Sequence, residues 1–158
     1  MTMRSILPGF CRCVITLIGC LLLLSCDTHD KEYYDKVRIK DILALIETEF
    51  SNRDIDALMN HYHLEFLNNG TVRWEEREIW QDRMASYLLI DFQNIDIQLD
   101  GDRATVSFQL KLMAAGHTDY YNEPAEHGDI SYFIYDNGNW RIYGNQHNYS
   151  ADQVNSDN

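Results

Sequence analysis

The stretch IDIQLDGDRATVSFQLKL, residues 95–112, decides the fold because apolar and polar side chains alternate along it. A period of two is typical of a β-strand that buries one face and exposes the other. Asp100-Gly101-Asp102 interrupts the alternation with residues that favour a tight turn. The stretch therefore predicts an antiparallel hairpin with one apolar face.

Three helices are predicted before this hairpin, each with apolar residues at steps of three and four. Their inner faces are Ile39, Ile42, Leu43, Ile46 and Phe50; then Ile55, Leu58, Met59 and Tyr62; then Trp80, Met84, Tyr87 and Leu88, with Ile79 beside them. Ser51-Asn52-Arg53 ends the first helix, and Asp54 is predicted to cap the second. Asn68-Asn69-Gly70 predicts a turn before the third helix. Glu75, Glu76 and Glu78 lie in its first turns, where carboxylates suit the helix dipole.

The chain after the hairpin is predicted to complete the sheet. Residues 113–129 predict a long polar connection, and residues 130–135 a further strand. Asp136-Asn137-Gly138-Asn139 predicts a turn that leads into a last strand over residues 140–143. The polar residues 146–158 predict a disordered tail. Helices followed by an antiparallel sheet make an α+β layout.

The order of these parts resembles the NTF2-like (SnoaL-like) cone fold. The resemblance covers roughly residues 35–145 and rests on the Asn69-Gly70 turn before a Trp-bearing helix, the strand start GDRATV at 101–106 and the closing GNWRIY at 138–143. It implies an NTF2-like domain over residues 36–145, in which the sheet wraps the helices and leaves a pocket. The candidate lining residues are Tyr62, Trp74, Trp80, Phe108, Tyr132 and Trp140. The alternative is that these aromatic side chains simply fill the core.

The family contains isomerases, dehydratases, binding modules and assembly subunits, so the fold alone does not identify the function. Its catalytic members tend to place an Asp–His or Tyr–Asp pair in the pocket. The acid–base candidates here are His63, near the end of the second helix, and His117 with Asp119 in the long connection. The alternative is that these side chains belong to solvated surface segments.

A zinc site at His61, His63 and Glu65 would require an extended segment, because side chains two residues apart then share a face. A helix would point the two histidines apart, and we expect no metal site. The sequence contains no nucleophile elbow, phosphate-binding loop or dinucleotide fingerprint. We therefore expect no cofactor.

The N-terminal segment carries the clearest targeting signal of the sequence. Arg4 and Arg12 precede or flank an apolar run over residues 14–24, as in a secretory signal peptide. Leu23-Leu24-Ser25-Cys26 resembles the lipobox of bacterial lipoproteins, which implies a signal peptide over residues 1–25 and a lipid, such as palmitate, on Cys26. Residues 26–35 would then be the lipidated cysteine and a short tether. The alternative is an uncleaved anchor.

The remaining chain would be strongly acidic. Loss of two arginines with the signal peptide changes the formal net charge from −12 to −14, which argues against a nucleic-acid partner. All four cysteines lie within the first 26 residues, so no disulfide is expected inside the domain. Asp27 directly after Cys26 resembles an inner-membrane retention signal, and we favour the inner over the outer membrane.

Apolar side chains on both faces of the last two strands predict an association surface on the convex sheet. Its occupant would be a second copy of the chain or an envelope protein. The function predicted from the sequence is a non-catalytic lipoprotein domain that binds a small ligand or a protein partner. The alternatives are a cofactor-independent isomerase, lyase or hydrolase using His and Asp, and an assembly subunit of an envelope complex.

Overall fold

The computed structural model describes the backbone of residues 10–148 and the side chains of residues 30–148. Contacts divide the chain into two compact units, residues 1–35 and 36–158. Helix α1 (Phe10–Asn52) supplies the described part of the first unit and the first helix of the second. Within the described residues no helix is both long and apolar enough to cross a membrane.

The segment predicted as a tether, residues 26–35, is helical and belongs to α1. Polar side chains one turn apart support the helix here, as the Lys31 Nζ lies 2.8 Å from the Asp35 Oδ2.

Two shorter helices follow at the predicted places. α2 (Ile55–Met59) is capped by Asp54, whose carboxylate accepts a hydrogen bond from the Ala57 N–H at 3.0 Å, as predicted. α3 (Arg73–Ser86) begins after a small hairpin of β1 (Leu67–Asn68) and β2 (Thr71–Val72). Asn69 and Gly70 form the turn of this hairpin, and their φ angles of 48° and 84° lie in the left-handed region that a tight hairpin turn requires.

The main sheet is antiparallel and has five strands: β3 (Leu89–Asp100), β4 (Arg103–Met113), β5 (Thr118–Glu123), β6 (Tyr132–Asp136) and β7 (Asn139–Ile142). β4 pairs with β3 along its length. On its other side, the first residues of β4 pair with β6 and its last residues with β5, while β7 extends the sheet from β6.

A register shift in β3 explains why its apolar residues change parity. Ile90 and Phe92 are buried before the shift, and Ile97 is buried after it. The irregularity lies between Gln93 and Asp96, where Asn94 has a φ of 56°. An extra residue at a bulge moves the following side chains to the opposite parity, which keeps the same face of the sheet apolar.

The hydrophobic core contains residues of all three helices and of the sheet. The predicted stripe of α1 is confirmed, with Ile39, Leu43, Ile46 and Phe50 fully or almost fully buried. The alternation of β4 is also confirmed from Ala104 to Leu112. The predicted inner face of α3 is wrong at Leu88, which is 55% exposed, because the helix ends at Ser86 and β3 begins at Leu89.

Two predictions for the C-terminal half are corrected. The connection over residues 113–129 contains β5, because the polar sequence TDYYNE pairs with one side of β4 and leaves alternate side chains in solvent. The tail predicted from residue 146 begins with hydrogen-bonded residues, since the Gln146 N–H donates to the Leu67 carbonyl and the Gly70 N–H donates to the His147 carbonyl. The rest of the predicted tail, residues 149–158, lies outside the described residues.

Candidate functional site

Three charged side chains meet at the inner side of α3. Glu76 and Arg83 come from α3, and Asp129 comes from the segment that leads into β6. The Arg83 Nη1 lies 2.6 Å from the Asp129 Oδ2 and 3.8 Å from the Glu76 Oε1. Glu76 is only 1% exposed, and the other two are also largely withdrawn from solvent. We call Glu76, Arg83 and Asp129 the acidic cluster.

An aromatic pair supports the acidic cluster from the core. The Trp80 Nε1–H donates to the Tyr62 hydroxyl at 2.7 Å, and both side chains are fully buried. The guanidinium of Arg83 lies 4.8 Å from the centre of a Trp80 ring, a cation–π distance. Tyr62 is held by a backbone bridge to Ile142 of β7. The acidic cluster therefore packs directly against the aromatic side chains of the hydrophobic core.

The electrostatics of the cluster favour a proton on Glu76. Burial raises the pKa of the Glu76 carboxyl well above 4.5, and the negative charge of Asp129 raises it further, while Arg83 lowers it. Burial also raises the pKa of the Tyr62 hydroxyl well above 10.0. Despite burial, the two carboxylates raise the pKa of Arg83, which stays charged. Glu76 is thus expected to keep its proton at a higher pH than an exposed glutamate does.

Two carboxyl oxygens of the cluster, the Glu76 Oε1 and the Asp129 Oδ1, are shielded from solvent and have no hydrogen-bond partner among the described residues. The Arg83 Nη1 is a third such atom, although it is ion-paired with the Asp129 Oδ2. A buried polar atom without a partner is costly, and natural proteins usually satisfy such atoms with protein, water or a ligand. The two oxygen atoms can therefore accept hydrogen bonds from water or from a bound molecule.

A cavity of about 320 Å³ lies against the cluster. It is lined by Asn68, Asn69, Thr71, Glu76, Ile79, Arg83, Glu126, His127 and Asp129. The Asn68 amide donates to the His127 carbonyl at 3.0 Å and so joins the β1–β2 hairpin to the loop after β5. The size is at the lower end of the range for small-molecule pockets. We call this space the acidic pocket.

The loop that forms the rim of the acidic pocket is fixed by Glu123. Its carboxylate accepts hydrogen bonds from the backbone N–H groups of His127 and Gly128. Burial raises the pKa of Glu123, an effect that these two N–H groups oppose. The ring of His127 lies 5.1 Å from that of Tyr121 on β5. The loop at the edge of the acidic pocket is thus held by contacts that differ from those within the acidic cluster.

The residues predicted to line the pocket occupy different places. Tyr62, Trp80, Phe108 and Trp140 are buried in the hydrophobic core, and Tyr132 is half-buried. Among them, Tyr62 and Trp80 touch the acidic cluster through the contacts described above. Trp74 is wrongly placed by the prediction: it is 62% exposed and lines a surface groove with Leu64 and Gln146.

The predicted acid–base residues lie outside the acidic pocket. The His63 Nε2 is 3.5 Å from the Asp136 Oδ2 near the β6–β7 turn. His117 is exposed and lies 3.5 Å from Asp119 at the start of β5. The Tyr87 hydroxyl donates to that Asp119 at 2.5 Å, which raises the pKa of Tyr87 to about 12. The structure therefore does not bring these candidates together in the acidic pocket, and their positions agree with the alternative that they belong to surface segments.

The segment with the alternating histidines is not helical, because α2 ends at Met59. His61 turns to α1, where its Nε2 lies 2.9 Å from the Glu49 Oε2, while His63 turns to Asp136. The Nδ1 of His63 accepts a hydrogen bond from the Glu65 N–H. Within the described residues, no group of three His, Cys, Asp or Glu side chains is arranged to hold a metal ion.

The sequence reading overlooked the acidic cluster. Glu76 was assigned a favourable place near the helix dipole, but it precedes Trp80 by four residues and Met84 by eight. That spacing puts a carboxylate on the buried stripe of α3, which is an available signal for a buried acid. Nothing in the sequence pairs Glu76 with Asp129, because this contact joins residues 53 positions apart through the tertiary fold.

No protein-family model and no curated protein matches the chain. Solved structures do resemble it. A protein of unknown function from Mycobacterium tuberculosis is 16% identical with a TM-score of 0.55, over 73% of this chain and 71% of that one. An NTF2-like protein with a cystatin-like fold from Novosphingobium aromaticivorans is 13% identical, with a TM-score of 0.55 over 77% and 86% of the two chains.

A protein named as a candidate scytalone dehydratase, from the same organism, is 10% identical with a TM-score of 0.55, over 73% of this chain and 84% of that one. At these identities the resemblance concerns the fold and not the activity. With its helices and its antiparallel sheet in the predicted order, the chain has the NTF2-like cone fold.

Proposed function

We propose that the domain binds a small polar molecule in the acidic pocket and does so as a lipoprotein of the bacterial cell envelope. The observation that carries the binding function is the pair of unpartnered, buried oxygen atoms on Glu76 and Asp129 at the floor of a cavity. Apolar packing alone gives no reason for such atoms, because burying them without partners lowers stability.

The lipoprotein part of the proposal rests on the sequence. Leu23-Leu24-Ser25-Cys26 after an apolar run supports processing before Cys26 and lipid attachment to it. Metabolic labelling of bacteria that express the full chain with a palmitate analogue tests this part. Label on the wild type and its loss in Cys26→Ala are expected, with Cys20→Ala as the matched control. Equal labelling of Cys26→Ala and the wild type would overturn it.

Binding without catalysis is the preferred function because the candidate acid–base residues His63 and His117 lie outside the acidic pocket. His127 does line the pocket, but its ring packs 5.1 Å from that of Tyr121. The second candidate is a cofactor-independent isomerase, lyase or hydrolase. It is favoured by the raised pKa of Glu76, which would keep a proton available for transfer to a bound molecule.

Native mass spectrometry of the full protein, extracted from its own membrane, tests the binding function. A small-molecule adduct is expected on the wild type and on Glu78→Gln, and its loss is expected in Glu76→Gln. Glu78 is the matched control because it is exposed on the same helix. The absence of an adduct from the wild type, or its survival in Glu76→Gln, would overturn the proposed site.

The same preparation separates the two candidates. The molecule released from the wild type is added back in excess and then analysed. Recovery of the unchanged molecule supports a binding protein. Conversion that depends on Glu76 but not on Glu78 would instead establish the enzyme.

Association through the convex sheet remains part of the proposal. Tyr132 pairs with Thr105, and Ile134 pairs with Arg103 and Arg141, so these side chains share the face opposite the buried Phe133. An apolar pair among arginines suits a partner with acidic and apolar groups. Sedimentation of the full protein in detergent over a range of concentrations tests self-association, and a concentration-independent monomer would rule out the homodimer.

Residence in the inner membrane is likewise a proposal, and separating the inner and outer membranes of the bacterium tests it.

A further inference from the structure

The acidic pocket contains more negative than positive side chains. Its lining includes the carboxyl groups of Glu76, Glu126 and Asp129 but only one guanidinium, that of Arg83. Arg83 is already engaged, since its Nη1 lies 2.6 Å from the Asp129 Oδ2. The pocket lining therefore has fewer cationic than acidic side chains and offers acceptor atoms in excess.

Three atoms of the pocket-lining residues have no hydrogen-bond partner: the Arg83 Nη1, which is ion-paired with Asp129, and two carboxyl oxygens. The Glu76 Oε1 and the Asp129 Oδ1 are buried, line the same cavity and have no hydrogen-bond partner within the described chain. An ionised carboxylate only accepts hydrogen bonds, so a ligand that satisfies both must bring donors. An ammonium group supplies three donors and one positive charge.

We propose that the ligand of the acidic pocket is a small primary amine whose ammonium group binds between Glu76 and Asp129. This inference rests on the proposed binding function and adds the chemical class of the ligand. A carboxylate or phosphate ligand brings acceptor atoms and would leave the two buried oxygen atoms without donors. A neutral alcohol has a single O–H donor and would leave one of the two buried oxygen atoms without a partner.

The proposal predicts that binding is coupled to proton release. Burial and Asp129 raise the pKa of Glu76 in the empty pocket, so a proton occupies the site that the ammonium group needs. The groups facing Glu76 are Asp129 from the segment before β6, Arg83 from its own helix, Tyr62 from the segment after α2, and Glu126 and His127 from the rim loop. Arg73 lines the separate surface groove near Trp74.

Isothermal titration of the full protein in detergent with propylammonium and propan-1-ol tests this inference. The two probes have the same number of non-hydrogen atoms and differ in charge and donor number. Affinity in the millimolar range is expected for such small ligands. The titrations use two buffers that contain no primary amine and differ in ionisation enthalpy, at one ionic strength.

We expect propylammonium to bind the wild type and Glu78→Gln, and to bind Glu76→Gln roughly tenfold more weakly, as fits the loss of a charge-assisted hydrogen bond. Proton release should appear in the wild type and vanish in Glu76→Gln, and propan-1-ol should bind more weakly than the amine. Asp129→Asn is the second variant should Glu76→Gln fail to fold, and the same weakening is expected.

Three outcomes would overturn the inference. The first is equal binding of propan-1-ol and propylammonium, and the second is unchanged amine affinity in a folded pocket variant. The third is the absence of amine binding to a wild type that retains its natural adduct, which would leave the proposed binding function standing. Absence of both the adduct and amine binding would overturn the inference and the proposed function together.

Discussion

The substitution Glu76→Gln should change how the stability of the protein depends on pH. Glutamine keeps the size of the side chain, but it removes the buried titrating group. In the wild type, burial and Asp129 raise the pKa of Glu76 well above 4.5. The folded state therefore holds this proton more tightly than the unfolded state does.

The sign of the effect follows from linkage. Below about pH 4.5 the carboxyl is protonated in both states, and its contribution to stability is fully present. As the pH rises, the unfolded carboxyl ionises first, which lowers the free energy of unfolding until the folded carboxyl also ionises. One group changes this free energy by at most about 1.4 kcal/mol per pH unit, or about 2.7 kcal/mol between pH 5.5 and 7.5.

Urea unfolding of the full protein in a non-ionic detergent, followed by tryptophan fluorescence at several pH values, measures this effect. Relative to the wild type, Glu76→Gln should gain stability as the pH rises. Glu78→Gln removes the same charge from an exposed position of α3 and should show a nearly constant difference. A constant difference for Glu76→Gln as well, or a loss with rising pH, would refute the buried, protonated state of Glu76.

Two further substitutions test the contacts that hold the site. Tyr62→Phe leaves the Trp80 Nε1–H without its buried acceptor and should lower the free energy of unfolding by about 1–3 kcal/mol. In a Trp80→Phe background the same substitution should cost less, because the donor is already absent. Equal losses in the two backgrounds, measured by urea unfolding, would exclude the coupling between Tyr62 and Trp80. Gly144→Ala should destabilise the protein more than Gly138→Ala. Both glycines have a positive φ, but only at position 144 would an added Cβ clash with the Leu67 carbonyl oxygen. Equal decreases in Tm for the two variants would contradict this close approach.

The sheet and the helix stripes could be predicted from the sequence because they depend on local periodicity. The alternation of apolar and polar residues from Ala104 to Leu112 predicts a β-strand, and the buried and less buried side chains of β4 alternate in the same way. β5 was missed for the same reason, since TDYYNE carries little apolar alternation and its strand conformation comes from pairing with β4. Local patterns predict the strands that build the core better than those that only extend it.

The acidic cluster could be predicted only in part. The position of Glu76 on the buried stripe of α3 was readable, but its partner Asp129 lies in a segment whose sequence suggested an exposed connection. A search for histidines beside carboxylates instead led to His63 and to His117 with Asp119, pairs that form at the surface. Sequence proximity identifies such surface pairs readily, whereas a buried cluster requires the tertiary fold.

The aromatic core and the acidic pocket depend on the same residues, which changes how the filled cone should be interpreted. A core packed with Tyr62, Trp80 and Phe50 would by itself suggest a purely structural domain. Yet Trp80 lies beneath the guanidinium of Arg83 and donates to Tyr62, so the packed aromatic groups fix the charged side chains at the cavity. A rigid core of this kind provides the preorganisation that a small binding site needs, because ordering the site on binding would cost affinity. The aromatic residues therefore matter to the proposed function as supports for Glu76, Arg83 and Asp129, and not as the surface that contacts the ligand.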